Sequence, residues 1–167
     1  MEKAVFSKRA YTAMCVESED FRDTETGGIF LGYYEDEVWY IAETIFPGPS
    51  AVHKSAEYAH DFEYVNYQAN CLSKLYDREL FVIGLWHSHI TSAPFSSEDE
   101  KTNLKFARLN GFGALSCLVD MQKKTCRMYS VSGDGACTEI PFCVSEAAPA
   151  GYKDTAICED GGDGNDC

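Results

Sequence analysis

Residues 81–102 of the chain read FVIGLWHSHITSAPFSSEDEKT. Two histidines one residue apart end an apolar run, and serines and acids follow close behind. Side chains alternate along a strand, so His87 and His89 point the same way and Ser88 points opposite. Two imidazoles on one side of a strand end can hold one metal ion, and zinc suits them best because it takes histidine nitrogen and carboxylate oxygen in tetrahedral geometry. A catalytic zinc keeps three protein ligands and a water, so a third ligand is needed, and the acids opening the next helix are near enough to supply it. An HxH pair alone is commoner without a metal than with one. Glu25, ahead of two glycines and a β-rich run in TETGGIFLG, is either a solvated loop charge or a carboxylate aimed into a cleft, the glycines permitting close backbone approach.

These residues need a scaffold, and the hydrophobic pattern supplies one. SKRAYTAMCVESED brings Tyr11, Met14 and Cys15 onto one face and predicts a first helix. GGIFLGYYEDEVWYIAETIF predicts a hairpin turning at Glu35, Asp36 and Glu37. FPGPSAVHKSA reads as a loop. Asp61 is a candidate N-cap for a helix carrying Phe62, Val65, Ala69, Leu72 and Leu75. LFVIGLW is a strand buried on both faces. TSAPFS is loop, and Ser96 or Ser97 opens a third helix that ends at Asn110 and Gly111. FGALSCLVD, TCRMYSV and ACTEIPF are three further strands. The order predicts an α/β fold, a mixed sheet with helices packed against it.

Composition bounds the function. At 167 residues the chain is one domain by size, and no apolar run approaches the roughly 20 residues needed to cross a membrane. The charged amino terminus lacks the pattern of a secretory signal, which predicts a cytoplasmic protein. Its cysteines, at positions 15, 71, 117, 126, 137, 143, 158 and 167, are then expected as free thiols. No CxxC occurs, which disfavours a cysteine-based zinc knuckle. A net charge of −13 excludes nucleic acid as a partner and favours a basic one. Residues 146–167 hold Glu146, Asp154, Glu159, Asp160, Asp163 and Asp166 against Lys153 alone. They are expected to form a disordered acidic tail behind a domain of residues 1–145.

ETGGIFLG, GLWHSH and a downstream SxxD together resemble the JAMM metalloisopeptidases of the JAB/MPN family, whose hallmark is a glutamate, an HxH pair and a serine with an aspartate three positions on. The resemblance covers residues 5–142 and includes the order of elements around the motif. It implies a single MPN-type, cytidine-deaminase-like domain with one catalytic zinc held by His87, His89 and an acid, Glu25 as general acid/base, and an assisting serine. The usual family spacing selects Ser97 and Glu100, with glutamate in place of aspartate. A loop one residue shorter selects Ser96 and Asp99, an intact SxxD, and is preferred. Ser96 at a helix start is also a natural cap. Ile90 departs from the proline many relatives carry after HxH but removes no chemical group. His53 and His60 are not expected to bind metal, and the tyrosines of EYAHDFEYVNY read as packing and surface residues.

The resemblance further implies cleavage of the amide bond after the C-terminal tail of ubiquitin or a ubiquitin-like protein, as deconjugation or precursor processing. The segment GPSAVHKSAEYAHDFEYVNYQ looks like bacterial JAB proteins found beside ubiquitin-activating-like enzymes, including those of antiphage operons. Activating-like and conjugating-like enzymes are therefore expected partners. The chief alternative is a non-catalytic MPN scaffold, against which the complete ligand set counts. A cupin-like oxygenase would need another histidine on a later strand, and none follows His89. Gly161 and Gly162 raise self-processing, but a plain Gly-rich tail is preferred.

Overall fold

Ser7 closes one element and opens the next. It ends strand β1 (Lys3–Ser7) and caps helix α1 (Lys8–Asp20), its hydroxyl accepting from the Ala10 N–H at 3.1 Å and donating to the Ala42 carbonyl at 2.7 Å. The computed structural model describes residues 1–153. Strands β2 (Gly27–Glu35) and β3 (Val38–Ile45) form the predicted hairpin. Its two turn residues, Asp36 and Glu37, both have positive φ, the turn whose twist matches the flanking strands. A short hairpin follows, β4 (Val52–Lys54) and β5 (Glu57–Ala59), then α2 (Phe62–Ser73), capped by Asp61. The rest is β6 (Phe81–His89), α3 (Ser97–Leu109), β7 (Ala114–Asp120), β8 (Thr125–Val131), β9 (Cys137–Ile140) and β10 (Phe142–Ser145).

Eight strands form one mixed sheet in the order β10-β1-β3-β2-β6-β7-β8-β9. Its two edge strands, β9 and β10, are separated in sequence by Pro141 alone. One residue spans less than about 8 Å of chain, so the sheet curls until its edges meet. Helix α1 lies against the concave face, where Ala10 and Met14 join Phe6, Phe30, Trp39, Ile41, Ile83, Trp86 and Cys117 in the main core. On the outer face α2 covers Ile29, Leu31, Ala42 and Ile45 through Val65, Ala69 and Leu72. Ala107 of α3 packs on Ala114 and Val131. Strand β6 sits at the centre, antiparallel to β2 and parallel to β7. That is the two-sided burial its apolar run predicts, and the α/β class with a mixed sheet and flanking helices holds.

Three local expectations need correction, and strand β1 is an element the sequence pattern did not predict. Residues 3–7 are a strand pairing with both β3 and β10, and the loop assigned to 46–56 contains β4. The run ACTEIPF is broken at Pro141, whose missing N–H cannot continue a ladder, so its two halves go to opposite edges of the sheet. Helix α3 ends at the expected C-cap Asn110, in extended conformation, but the positive-φ glycine that follows is Gly113 and not Gly111.

The described part of the acidic segment, residues 146–153, is fastened to the domain. The Asp77 N–H donates to the Gly151 carbonyl and the Lys153 N–H to the Leu75 carbonyl, both at 2.7 Å, and Tyr152 packs edge-on against Tyr76. The tail beyond, with Gly161 and Gly162, lies outside the described residues. The six described cysteines are free thiols. No described helix is long and apolar enough to cross a membrane.

Candidate metal centre

The register between β2 and β6 builds the site. Gly27 pairs with His87, and one step further the Ser88 N–H donates to the Thr26 carbonyl at 2.8 Å while the Ser88 hydroxyl accepts from the Thr26 N–H at 3.1 Å. Ser88, fully buried, faces away from the histidines and spends itself on this backbone. Glu25, two residues ahead of β2, is thereby brought beside His89. Side chains larger than hydrogen are excluded at Gly27 and Gly28. A Cβ on Gly27 would lie 2.5 Å from the Tyr58 ring, and one on Gly28 would lie 2.6 Å from Trp86 Nε1.

His87 and His89 turn their Nε2 atoms toward each other at 3.0 Å. Asp99, in the first turn of α3, brings Oδ1 to 3.4 Å from His87 Nε2 and Oδ2 to 3.5 Å from His89 Nε2. Ligands about 2.1 Å from a tetrahedral zinc stand about 3.4 Å apart, so these three donors have the spacing of one coordination sphere. Among the described residues they are the group of metal-ligating side chains that converges in this way. The Ala93 carbonyl accepts from His89 Nδ1 at 3.2 Å, which leaves Nε2 with its lone pair facing the cluster. Phe95 backs the His87 ring and packs in turn on Tyr129. The donor set and its tautomer fit a zinc ion.

Position 99 is fixed by the helix cap. Ser96 is the N-cap of α3, and its backbone N–H and its hydroxyl both donate to Asp99 Oδ2 at 2.7 Å, while the Asp99 N–H donates back to Ser96 Oγ at 3.2 Å. The shorter-loop register therefore supplies the carboxylate at the histidines, and Glu100 points outward. The Ser96 hydroxyl is engaged with Asp99 rather than directed at an oxyanion. Burial pushes the Asp99 carboxyl up, but hydrogen bonds from His87, His89 and Ser96 outweigh it and hold it well below the usual carboxylate range. The Asp99 hydrogen bond raises His89, against burial.

Glu25 Oε1 stands 3.9 Å from His89 Nε2. Burial raises its pKa, the two histidines pull it back, and Asp99 adds to the rise. It therefore holds a proton more readily than a free glutamate does. The three candidate ligands and Glu25 open on one cleft of about 680 Å³ walled by the β4–β5 hairpin and the start of α3. Tyr58 and Phe62 line the hairpin side, and Pro94 lines the other.

A family model described as prokaryotic homologs of the JAB domain matches residues 7–128. The chain belongs to the prokaryotic JAB-domain family. A search of curated proteins finds no match. Among solved structures, the solution structure of protein DSY2949 from Desulfitobacterium hafniense is similar at a TM-score of 0.66 and 15% identity, covering 86% of this chain and 94% of that one. At that identity the likeness concerns the fold, and the JAB assignment rests on the family match. JAB domains include metalloproteases and inactive members, so the chemistry has to be argued from the residues of this one.

Sequence reasoning missed several residues of this JAB site. Thr26 and Ser88 lock β2 to β6, Ala93 sets a tautomer, and His53 bonds the main chain of Glu25. The β4–β5 hairpin, three residues a strand around Ser55 and Ala56, left no pattern long enough to be read from the sequence. His60 bonds Tyr58, and neither His53 nor His60 joins the metal ligands.

Proposed function

We propose that this JAB domain is a zinc-dependent isopeptidase or peptidase that cleaves the amide bond after the C-terminal tail of ubiquitin or a ubiquitin-like protein. The observation that carries this reading is the Glu25 carboxylate beside a convergent His87, His89 and Asp99, all facing one cleft. Held by His87, His89 and Asp99, a zinc ion would supply Lewis acidity, lowering the pKa of water from 15.7 toward about 7 and polarising a carbonyl. Glu25, its pKa raised by burial, takes the proton from the attacking water and delivers it to the leaving amine. Ser96 assists by fixing Asp99. Its backbone N–H stays on Asp99 Oδ2, so the hydroxyl is able to turn toward a developing oxyanion without releasing the ligand.

The cleft supports an extended, uncharged or basic segment as substrate. The charged residues among its described lining are the acids Glu25, Glu57, Glu98 and Asp99, with no lysine or arginine. Such a lining disfavours a free carboxylate at the scissile bond. Acidic character throughout, with a net charge of −13, suits a basic protein partner. We place the protein in the cytoplasm, working on conjugates or precursors of a ubiquitin-like modifier together with activating-like and conjugating-like enzymes, including in antiphage defence.

The test is a panel of ubiquitin and ubiquitin-like proteins fused through their tails to a reporter or to a lysine side chain, incubated with zinc-loaded protein. Cleavage at the tail is expected for at least one member and is abolished by Glu25→Gln. Zinc-replete protein that leaves every member intact would turn the assignment toward a scaffold.

A further inference from the structure

We infer that His53, from the β4–β5 hairpin, is a positioning residue for Glu25. This rests on Glu25 being the proton carrier proposed above. Among the described residues the Glu25 carboxylate has no hydrogen-bond partner closer than His89 at 3.9 Å, so its aim is set by its main chain. That main chain is gripped on both sides of Cα by successive residues of β4. The Glu25 N–H donates to the Lys54 carbonyl at 2.7 Å, and the Glu25 carbonyl lies 3.2 Å from His53 Nδ1. A carbonyl only accepts, so Nδ1 carries the proton. Together with the Thr26 and Ser88 bonds, this pins the peptide unit on either side of the side chain.

The His53 ring is itself held. It stacks on Phe21, centroids 3.8 Å apart and planes within 10°. Phe21 is the C-cap of α1, so the helix fixes the ring and the ring fixes the carbonyl. The peptide plane that follows Glu25 is held at one edge by the Thr26 N–H bond to Ser88. The His53 contact holds its other edge, the Glu25 carbonyl, and stops the plane from rocking about the Ser88 bond. The geometry makes the hairpin part of the reactive machinery as well as a wall of the cleft. Displacements of about 1 Å cost up to about a hundred-fold in rate.

Two variants of the zinc-loaded full chain separate this role from simple packing. His53→Phe keeps the stack on Phe21 and removes the donor; His53→Asn keeps an N–H close to the place of Nδ1. We expect His53→Phe to lower kcat by about 10- to 100-fold, with KM and zinc content unchanged, and His53→Asn to recover most of the loss. Hydrogen exchange at the Glu25 and Thr26 amides needs no substrate, and it should quicken about tenfold in His53→Phe and return toward the wild-type rate in His53→Asn. Unchanged exchange with unchanged kcat in His53→Phe, or equal losses in both variants tracking a lower Tm, overturns the inference. Glu25→Gln is measured alongside: if it stays active, the proton-carrier reading falls and takes this one with it, whereas an inactive Glu25→Gln beside a fully active His53→Phe removes the positioning role alone.

Discussion

Asp99 stands where two jobs that ordinarily go to different residues meet, N3 partner of a helix cap and third donor of the candidate metal cluster. Asp99→Ala is therefore expected to lose zinc and also to destabilise the start of α3, whereas Glu100→Ala should keep zinc at wild-type stoichiometry. Elemental analysis of the purified variants decides between the two registers. Ser96→Ala removes a cap worth about 1 kcal/mol and an orienting contact of the kind worth about 10- to 100-fold in metal affinity, measurable by competition with a chelating dye. The same cluster sets the pH response. Zinc must displace the proton on His89, and the Asp99 hydrogen bond raises the pH at which that proton is held. Zinc affinity should thus fall on acidification from a higher pH than an unperturbed histidine would give. A dye titration across pH 8 to 5 checks this, and an affinity flat over that range would contradict it.

At the level of elements, the strand β6 and the helix α3 were legible in sequence because each carries its own signal. Seven apolar residues precede the histidines, and Ser96 with acids behind it opens a helix. The pairing partners were less legible. β4 and β5 are three residues each, too short for alternation to register, and β1 has no turn signal between it and α1. Glu25 could be singled out beside its glycines, but the contacts that aim it come from residues 28 and 63 positions away, His53 and Ser88. No local pattern reports such distances. The glycines give this level its prediction. Gly27→Val sets branched carbons against the Tyr58 ring and the Trp86 carbonyl, and overpacking of this kind costs about 1–3 kcal/mol. Thermal melting should show the loss, with zinc still bound and turnover reduced because the hairpin is pushed off Glu25.

For the molecule as a whole, the curled sheet explains how a chain of this size brings the candidate metal centre together. Both edges meet at Pro141, α1 fills the concave face, and the candidate metal ligands arise on the outer face from the central strand and a helix that follows it directly. Zinc that binds only the folded state adds about 4 kcal/mol when free metal exceeds its Kd a thousand-fold. At about 2–4 °C per kcal/mol for a domain of this size, chelation should lower Tm by roughly 10 °C in wild type and hardly at all in Asp99→Ala. Buried Glu43 works in the opposite sense as pH rises from the ordinary carboxylate range. Burial raises its carboxyl, partly offset by the Tyr76 hydroxyl and Arg9. Since the folded value lies above the unfolded one, its contribution to stability is present below the unfolded value and is lost as pH rises through the folded one. The central claim is tested most directly by measuring zinc content and tail cleavage on the same samples of wild type and Glu25→Gln. One zinc per chain in both, with cleavage in wild type alone, is the predicted result; wild type without zinc, or Glu25→Gln that still cleaves, would contradict it.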